Sequence, residues 1–375
     1  MKIEAIGIRE LRMRLKQPFE ASFGSTQDQR ILLVEVHSDG LSGFGEITAG
    51  MGPFYNPETI GTAWHIFCEY LAPLFVGRNI NGPEDIPLLL EPIRGHEMTK
   101  AGLENAVWDL TAQARGVSLA SLLGGTHEEI PCGVSLGIKA KLHDLFTHVE
   151  RELESGYQRI KIKIKPGKDV EVATALRKRF PDVKLMVDAN SAYSLNDADH
   201  LRRFDDLNLM MIEQPLEWDE IFAHAKLQAQ LATPICLDEC IHNVRQTEAA
   251  LDLPACRIIN IKLGRVGGHI SARNIARLCA ARLIPVWCGG MLESGIGRAH
   301  NIAMSSLPGF TLPGDVSASQ RYWDEDIIDP EVEVSPRGTI TVPNKPGLGY
   351  RVRRERVDSL TVRSETFRAA AVSVA

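Results

Sequence analysis

Five ionisable residues recur through the middle of the chain at nearly one interval. Lys163, Asp188, Glu213, Asp238 and Lys262 lie 25, 25, 25 and 24 residues apart. Each closes a short apolar run: IKIK, LMVD, MMIE, ICLD and INIK. Three carboxylates brought together in a partly buried site repel one another, and a divalent cation between them relieves that repulsion. All-oxygen donors with no paired Cys or His beside them select a hard ion, Mg2+ or Mn2+, over Zn2+. Such an ion keeps coordination positions open for a substrate oxygen. Asn190 and Glu239 follow the first and third carboxylates closely and are candidates to orient them. A lysine flanks the carboxylates on either side. The cation and the second lysine are expected to lower a lysine's pKa towards use as a base. Bases on opposite sides of the metal would reach a bound substrate from opposite faces. That arrangement suits removal of a proton next to a carboxylate, with the ion stabilising the enediolate.

A constant interval requires a repeating unit. Strand-like runs at 132–138, 159–165, 184–188, 209–213, 235–238, 258–262 and 285–288, with a weaker eighth at 310–315, alternate with helical stretches such as 223–231 and 270–281. This is the pattern of a parallel α/β barrel, whose strand ends converge on one face. In 159–165, RIKIKIK, the lysines share one face and the isoleucines the other. A barrel strand turns the isoleucines to the helices and the lysines inward, where they need a counter-charge. The first 125 residues read differently. Strands at 31–37 and 41–48 flank a turn at Ser38-Asp39-Gly40. A helix starts at Asn56-Pro57 and runs towards Gly77. A second spans 98–114, its stripe formed by Leu103, Ala106, Val107, Leu110 and Ala114, and stops at Gly116. Residues 1–125 thus form an α+β domain and 126–321 the barrel. The tail from about 322, with a short strand pair near 338–342, is assigned to the first domain.

The composition narrows the function. With 375 residues, 44% hydrophobic and 24% charged, the chain is an ordinary globular protein. A net charge of −6 gives no basic field for nucleic acid or an anionic membrane. No run approaches the roughly 18 apolar residues of a membrane span, and the N-terminus lacks the apolar stretch of a signal peptide. Seven scattered cysteines read as reduced thiols in a cytoplasmic protein. Cys236 and Cys240 form a lone CxxxC with no second pair. Rival readings are weaker. Gly133-Val-Ser-Leu-Gly137 matches the G-x-S-x-G elbow of serine hydrolases, but Ser135 lies within an alternating strand rather than at a sharp turn. No G-x-G-x-x-G follows a strand, against a dinucleotide fold. A non-catalytic barrel has no use for three carboxylates facing two lysines.

At these residues the sequence resembles the enolase superfamily, and within it the o-succinylbenzoate synthase / N-acylamino acid racemase family. The matching strings are Lys161-Ile-Lys163 with Pro166-Gly167, Val187-Asp-Ala-Asn190, Ile212-Glu-Gln-Pro215, Leu237-Asp-Glu239, Asn260-Ile-Lys262 with Gly264-Arg-Val-Gly-Gly268, and Trp287 to Ser294. The resemblance covers nearly the whole chain. It implies a (β/α)7β TIM-like barrel under an N-terminal α+β capping domain. It implies Asp188, Glu213 and Asp238 as metal ligands, Lys163 and Lys262 as the acid/base pair, and Lys161 as the residue that tunes Lys163. It places Phe19 and Phe23 on one mobile capping loop and Tyr55 on another, and Ser135, Met291 and Glu293 in substrate-contact regions. The seventh-strand His of the mandelate-racemase branch is replaced by Pro285-Val-Trp-Cys-Gly289, and the Asp-x-Asp of dipeptide epimerases by Asp315-Val-Ser317. Cys240 stands where relatives often carry a small hydroxyl residue. The implied activity is dehydration of 2-succinyl-6-hydroxy-2,4-cyclohexadiene-1-carboxylate in menaquinone biosynthesis. The alternative is racemisation of N-acylamino acids by the same two lysines. A small carboxylate substrate is the expected partner, without nucleic acid or membrane, and a homo-oligomer the expected assembly.

Overall fold

Strands Ala5–Ala21 and Gly24–Ser38 form a long antiparallel hairpin, and Leu41–Ile47 returns beside the second. The computed structural model describes residues 1–22 and 24–369. The strand Thr361–Arg368 pairs with the first strand of the hairpin and makes the sheet four-stranded. Helix Glu97–Ala114 lies across this sheet. It approaches so closely that a Cβ at Gly43 or Gly45 would collide with the helix backbone at Ala106 or Gly102. Helix Ile60–Ile66 begins later than the Asn56-Pro57 pair led us to expect. Thr59 caps it, its hydroxyl accepting from the Thr62 N–H at 3.1 Å. Asn56 instead folds its side chain back to the Glu58 N–H at 2.8 Å, a local turn that competes with helix initiation.

Seven parallel strands pair in chain order: Gly133–Leu136, Arg159–Lys163, Leu185–Asp188, Ile212–Glu213, Ile235–Leu237, Ile258–Ile261 and Val286–Cys288. The eighth position is held by residues 310–314. Phe310 bridges to Val286 and Gly314 to Cys132, both parallel, so the ring closes between the seventh strand and the first. A helix follows each of the seven strands, the last being Gly295–Ser305. The chain is a TIM-like (β/α)7β barrel with a capping domain. Ile160 and Ile162 pack into the core beneath the helices. Met186, Met211, Cys236, Ile258 and Trp287 form a separate buried cluster, on which Lys161 and Arg159 rest, 4.8 and 5.0 Å from the Trp287 ring centre. The tail strand Thr339–Thr341 pairs with Glu129–Pro131, before the first barrel strand, rather than within the tail. All seven cysteines are buried and unpaired. Among the described residues no helix is long and apolar enough to cross a membrane.

Two carboxylates of the cap terminate helices of the barrel. Glu104 accepts from the N–H groups of His269 and Ile270, at 2.8 and 3.0 Å, where helix His269–Ala281 starts. Glu46 accepts from the Ser294 and Gly297 N–H groups, at 3.0 and 3.1 Å, and from the Ser294 hydroxyl, at the start of Gly295–Ser305. Each puts an acceptor where a helix leaves its N–H groups unpaired and its dipole is positive.

Candidate active site

The ladders set the rim of the barrel. Lys163 stands opposite Asp188, and Asp188 opposite Glu213. Lys163 Nζ donates to Asp188 Oδ2 at 2.6 Å and to Asn190 Oδ1 at 2.7 Å. Lys161 Nζ lies 2.9 Å from Glu213 Oε2, 3.3 Å from Asp188 Oδ2 and 2.6 Å from Asp315 Oδ2. Lys262 Nζ donates to Asp238 Oδ2 at 2.8 Å, and Asn260 Nδ2 to Glu213 Oε1 at 2.7 Å. Asp188, Glu213 and Asp238 are wholly buried. So much charge is tolerable there only because every carboxylate meets a cation.

The electrostatics follow from those pairings. Burial would raise Asp188, but the Lys163 and Lys161 charges override it and hold its carboxyl well below the ordinary range. Glu213 moves the other way, pushed up by burial and then by the neighbouring Asp188 charge. Glu239 is raised by burial and then by Asp188. Burial pulls Lys262 down, yet Tyr55 and the carboxylates of Glu239, Glu213 and Asp188 outweigh it and hold the ammonium above its usual value. Lys161 is raised in the same way by Asp315, Glu213 and Asp188.

The three carboxylates do not close on one point. Among the described residues no three Asp, Glu, His or Cys side chains gather as a ready metal cage. Each is drawn to a lysine, and Asp238 also to the Arg265 guanidinium and the Tyr55 hydroxyl. Their chemistry still fits a hard divalent cation. They are buried oxygen donors on neighbouring strands, without thiolate or imidazole among them, and the Asp188–Glu213 repulsion is what such an ion relieves.

The remaining predicted residues divide. Asn190 joins Lys163 to Glu239, donating to its Oε1 at 2.9 Å, while Glu239 Oε2 has no hydrogen-bond partner among the described residues. Glu293 lines the cavity over the lysines and accepts from Asn301 at 2.9 Å. Ser135 lines the same cavity from mid-strand with its hydroxyl unpartnered, which leaves no nucleophile elbow. Phe19 also lines it, but from a paired strand: it sits opposite Thr26 in the hairpin rather than on an irregular loop. Phe23 lies outside the described residues. Tyr55 lines a neighbouring cavity with Asn190 and Glu239. Its hydroxyl donates to Asp238 Oδ1 and accepts from Arg265, both at 3.0 Å, and its ring lies 4.4 Å from Lys262 Nζ. Met291 lies at the cap side of the site. Its side chain packs on the core of the cap and its carbonyl accepts from Gln29 at 3.1 Å, so Leu292 takes the cavity-lining place. Asn190, Gln214 and Leu292 hold positive φ angles of 42°, 37° and 57°, strained backbone for non-glycine residues at three loops of the barrel mouth. Reading the sequence missed Asn260, Arg265 and the pairing of Asp315 with Lys161. Asn260 carried a signal, since it stands two residues before Lys262 on one strand face. Arg265 stands within the matching string Gly264-Arg-Val-Gly-Gly268, but nothing in that string tells that its guanidinium reaches Asp238.

Residues 2–124 match the mandelate racemase / muconate lactonizing enzyme N-terminal domain, and residues 144–356 the enolase C-terminal domain-like family. The chain is 52% identical over 368 residues to the o-succinylbenzoate synthase of Geobacillus kaustophilus, with 98% of each chain covered. It is 45% identical over 362 residues to the N-succinylamino acid racemase of Thermus thermophilus, covering 96% of this chain and 98% of the relative. A crystal structure of an enolase-superfamily member from Listeria innocua matches with a TM-score of 0.94 at 41% identity, covering 98% of this chain and 99% of that one. The chain is a member of the enolase superfamily. Within it, the chain belongs with the o-succinylbenzoate synthases and N-succinylamino acid racemases.

Proposed function

We propose that this enzyme is a Mg2+-dependent o-succinylbenzoate synthase, a hydro-lyase acting on 2-succinyl-6-hydroxy-2,4-cyclohexadiene-1-carboxylate. The observation that carries the reading is the pair of lysines, Lys163 on the second barrel strand and Lys262 just past the sixth, on either side of three buried carboxylates. When held by Asp188, Glu213 and Asp238, Mg2+ or Mn2+ supplies positive charge to the substrate carboxylate as the neighbouring carbon loses its proton. Lys163 removes that proton and returns it to the leaving hydroxyl, so that water departs. Asn190 fixes the Lys163 ammonium in direction. Lys262, under the Tyr55 ring, presents a cation from the other side. Lys161 ties Glu213, Asp188 and Asp315 together and so positions the carboxylates. Racemisation of N-succinylamino acids is the second reading, favoured by the same two-sided placement. Seven unpaired buried thiols fit a reducing compartment, and we place the enzyme in the cytoplasm.

The test is turnover after chelation. Excess EDTA should abolish it and Mg2+ or Mn2+ restore it, and Asp238→Asn should weaken metal binding measured by calorimetry. Full turnover in EDTA, with no metal retained by elemental analysis, would refute the mechanism.

A further inference from the structure

Asp238 stands just past the backbone pairing of its strand. The fourth and fifth barrel strands, Ile212–Glu213 and Ile235–Leu237, pair only as far as Glu213 opposite Cys236. On its other side the fifth strand pairs with the sixth as far as Leu237. The Gln214 N–H donates to the Cys236 carbonyl at 2.8 Å, the last rung before Asp238. Asp238 is wholly buried, so its N–H needs an acceptor within the protein. The side chain of Gln214 supplies one, Oε1 accepting from the Asp238 N–H at 3.0 Å. Gln214 thus continues with its side chain a ladder that the backbone has left.

The rest of the amide is committed as well. Oε1 also accepts from the Cys240 N–H, at the longer distance of 3.4 Å. Nε2 lies 3.2 Å from the Leu216 and Glu217 carbonyls and 3.1 Å from Cys240 Sγ. Gln214 is wholly buried, and its main-chain carbonyl accepts from the Ser191 N–H at 2.9 Å, in the loop after the third strand. One residue therefore joins the ends of three consecutive strands, those that carry Asp188, Glu213 and Asp238. These contacts hold its φ at 37°, a conformation a residue with a Cβ adopts only when its surroundings impose it. Cys240 completes the surroundings of the amide: its sulfur accepts from Nε2 and stands 3.7 Å from the Glu217 carbonyl.

We propose that Gln214 is a positioning residue for the metal site. Its amide fixes where Asp238 stands relative to Glu213, the two carboxylates that one hard cation would share, and Cys240 helps to hold that amide. Lys262 and Arg265 both draw on the Asp238 carboxylate. A main chain tied to Gln214 limits how far they can displace it. This rests on the metal dependence proposed above and adds what orders the ligands.

The experiment is calorimetric titration of the whole protein with Mg2+ and, separately, with Ca2+, which reads each dissociation constant without turnover. Mg2+ demands near-ideal octahedral geometry, whereas Ca2+ accepts a flexible one. Gln214→Met keeps the length of the side chain and removes the amide. The Mg2+ dissociation constant should rise about tenfold. The Ca2+ constant should rise less, so that the ratio of the two shifts against Mg2+. Cys240→Ala should move the ratio in the same direction and by less, and Cys240→Ser, which restores an acceptor, should return it towards the parent value. Equal losses of both ions in Gln214→Met, or no loss, overturn the proposal. Where that variant does not fold, identical ratios in Cys240→Ala and Cys240→Ser overturn it. Mg2+ binding by the parent in either case leaves the metal dependence standing. A parent that binds neither ion overturns both.

Discussion

Replacing Glu46 by Gln should flatten the pH dependence of stability. Burial pushes the Glu46 carboxyl from an ordinary 4.5 up to about 7, with the Glu293 charge adding to it and the hydrogen bonds from Ser294 and Gly297 opposing it. The unfolded chain releases this proton near 4.5 and the folded protein near 7. Between those values the folded state holds a proton that the unfolded state has lost, so stability falls as pH rises. The slope approaches 1.4 kcal/mol per pH unit, and the loss across the window comes to about 3 kcal/mol. Above about 7 both states are ionised and the loss is complete. Glu104, also pushed up to about 7, acts in the same window and remains in the variant. Urea unfolding at a series of values from about pH 5 to 8 measures the slope. The Gln variant should be shallower by about 1 kcal/mol per pH unit below pH 7 and parallel to the parent above it. Identical slopes in parent and variant would show that Glu46 does not carry a raised pKa in the folded protein.

The two lysines should be separable by substrate hand. Lys163→Ala should stop α-deuterium exchange in one enantiomer of an N-succinylamino acid and Lys262→Ala in the other, while either abolishes racemisation; a single variant that still exchanges both enantiomers contradicts the two-sided geometry. At Gly289, a Cβ would collide with the Asn260 side chain and stand 2.7 Å from Lys262 Cγ. Gly289→Ala should therefore cost about a hundredfold in kcat/KM with the circular dichroism spectrum retained, and unchanged kinetics would show that the glycine is not needed to seat the lysine.

How far the sequence foretells this protein depends on what specifies each part. The barrel rim was legible because a parallel barrel repeats a unit of near-constant length, so spacing alone orders Lys163, Asp188, Glu213, Asp238 and Lys262 along it. Asp315 lies outside that rhythm, 53 residues past Lys262, and its partnership with Lys161 emerges only when the ring closes. Phe19 looked like a loop residue near Gly24, yet the ladder runs through it because strand length is decided by cross-strand partners. Tyr55 and Met291 sit on segments whose sequence fixes their position but not which wall each side chain faces. The helix near residue 60 was read as starting at Asn56-Pro57, and that its cap is Thr59 emerges only with the competing hydrogen bond of Asn56.

The placement of Glu46 and Glu104 bears on how such a protein can be recombined. A chimaera that sets this barrel under a foreign cap would leave the N–H groups of His269, Ile270, Ser294 and Gly297 without acceptors. The cap is thus not an exchangeable module. The hairpin tip near Ser22 and the turn from Gly50 to Tyr55 provide no such termini. Grafting those two segments alone, with Tyr55, Glu46, Glu104 and the glycine-seated helix Glu97–Ala114 retained, is the exchange the architecture permits.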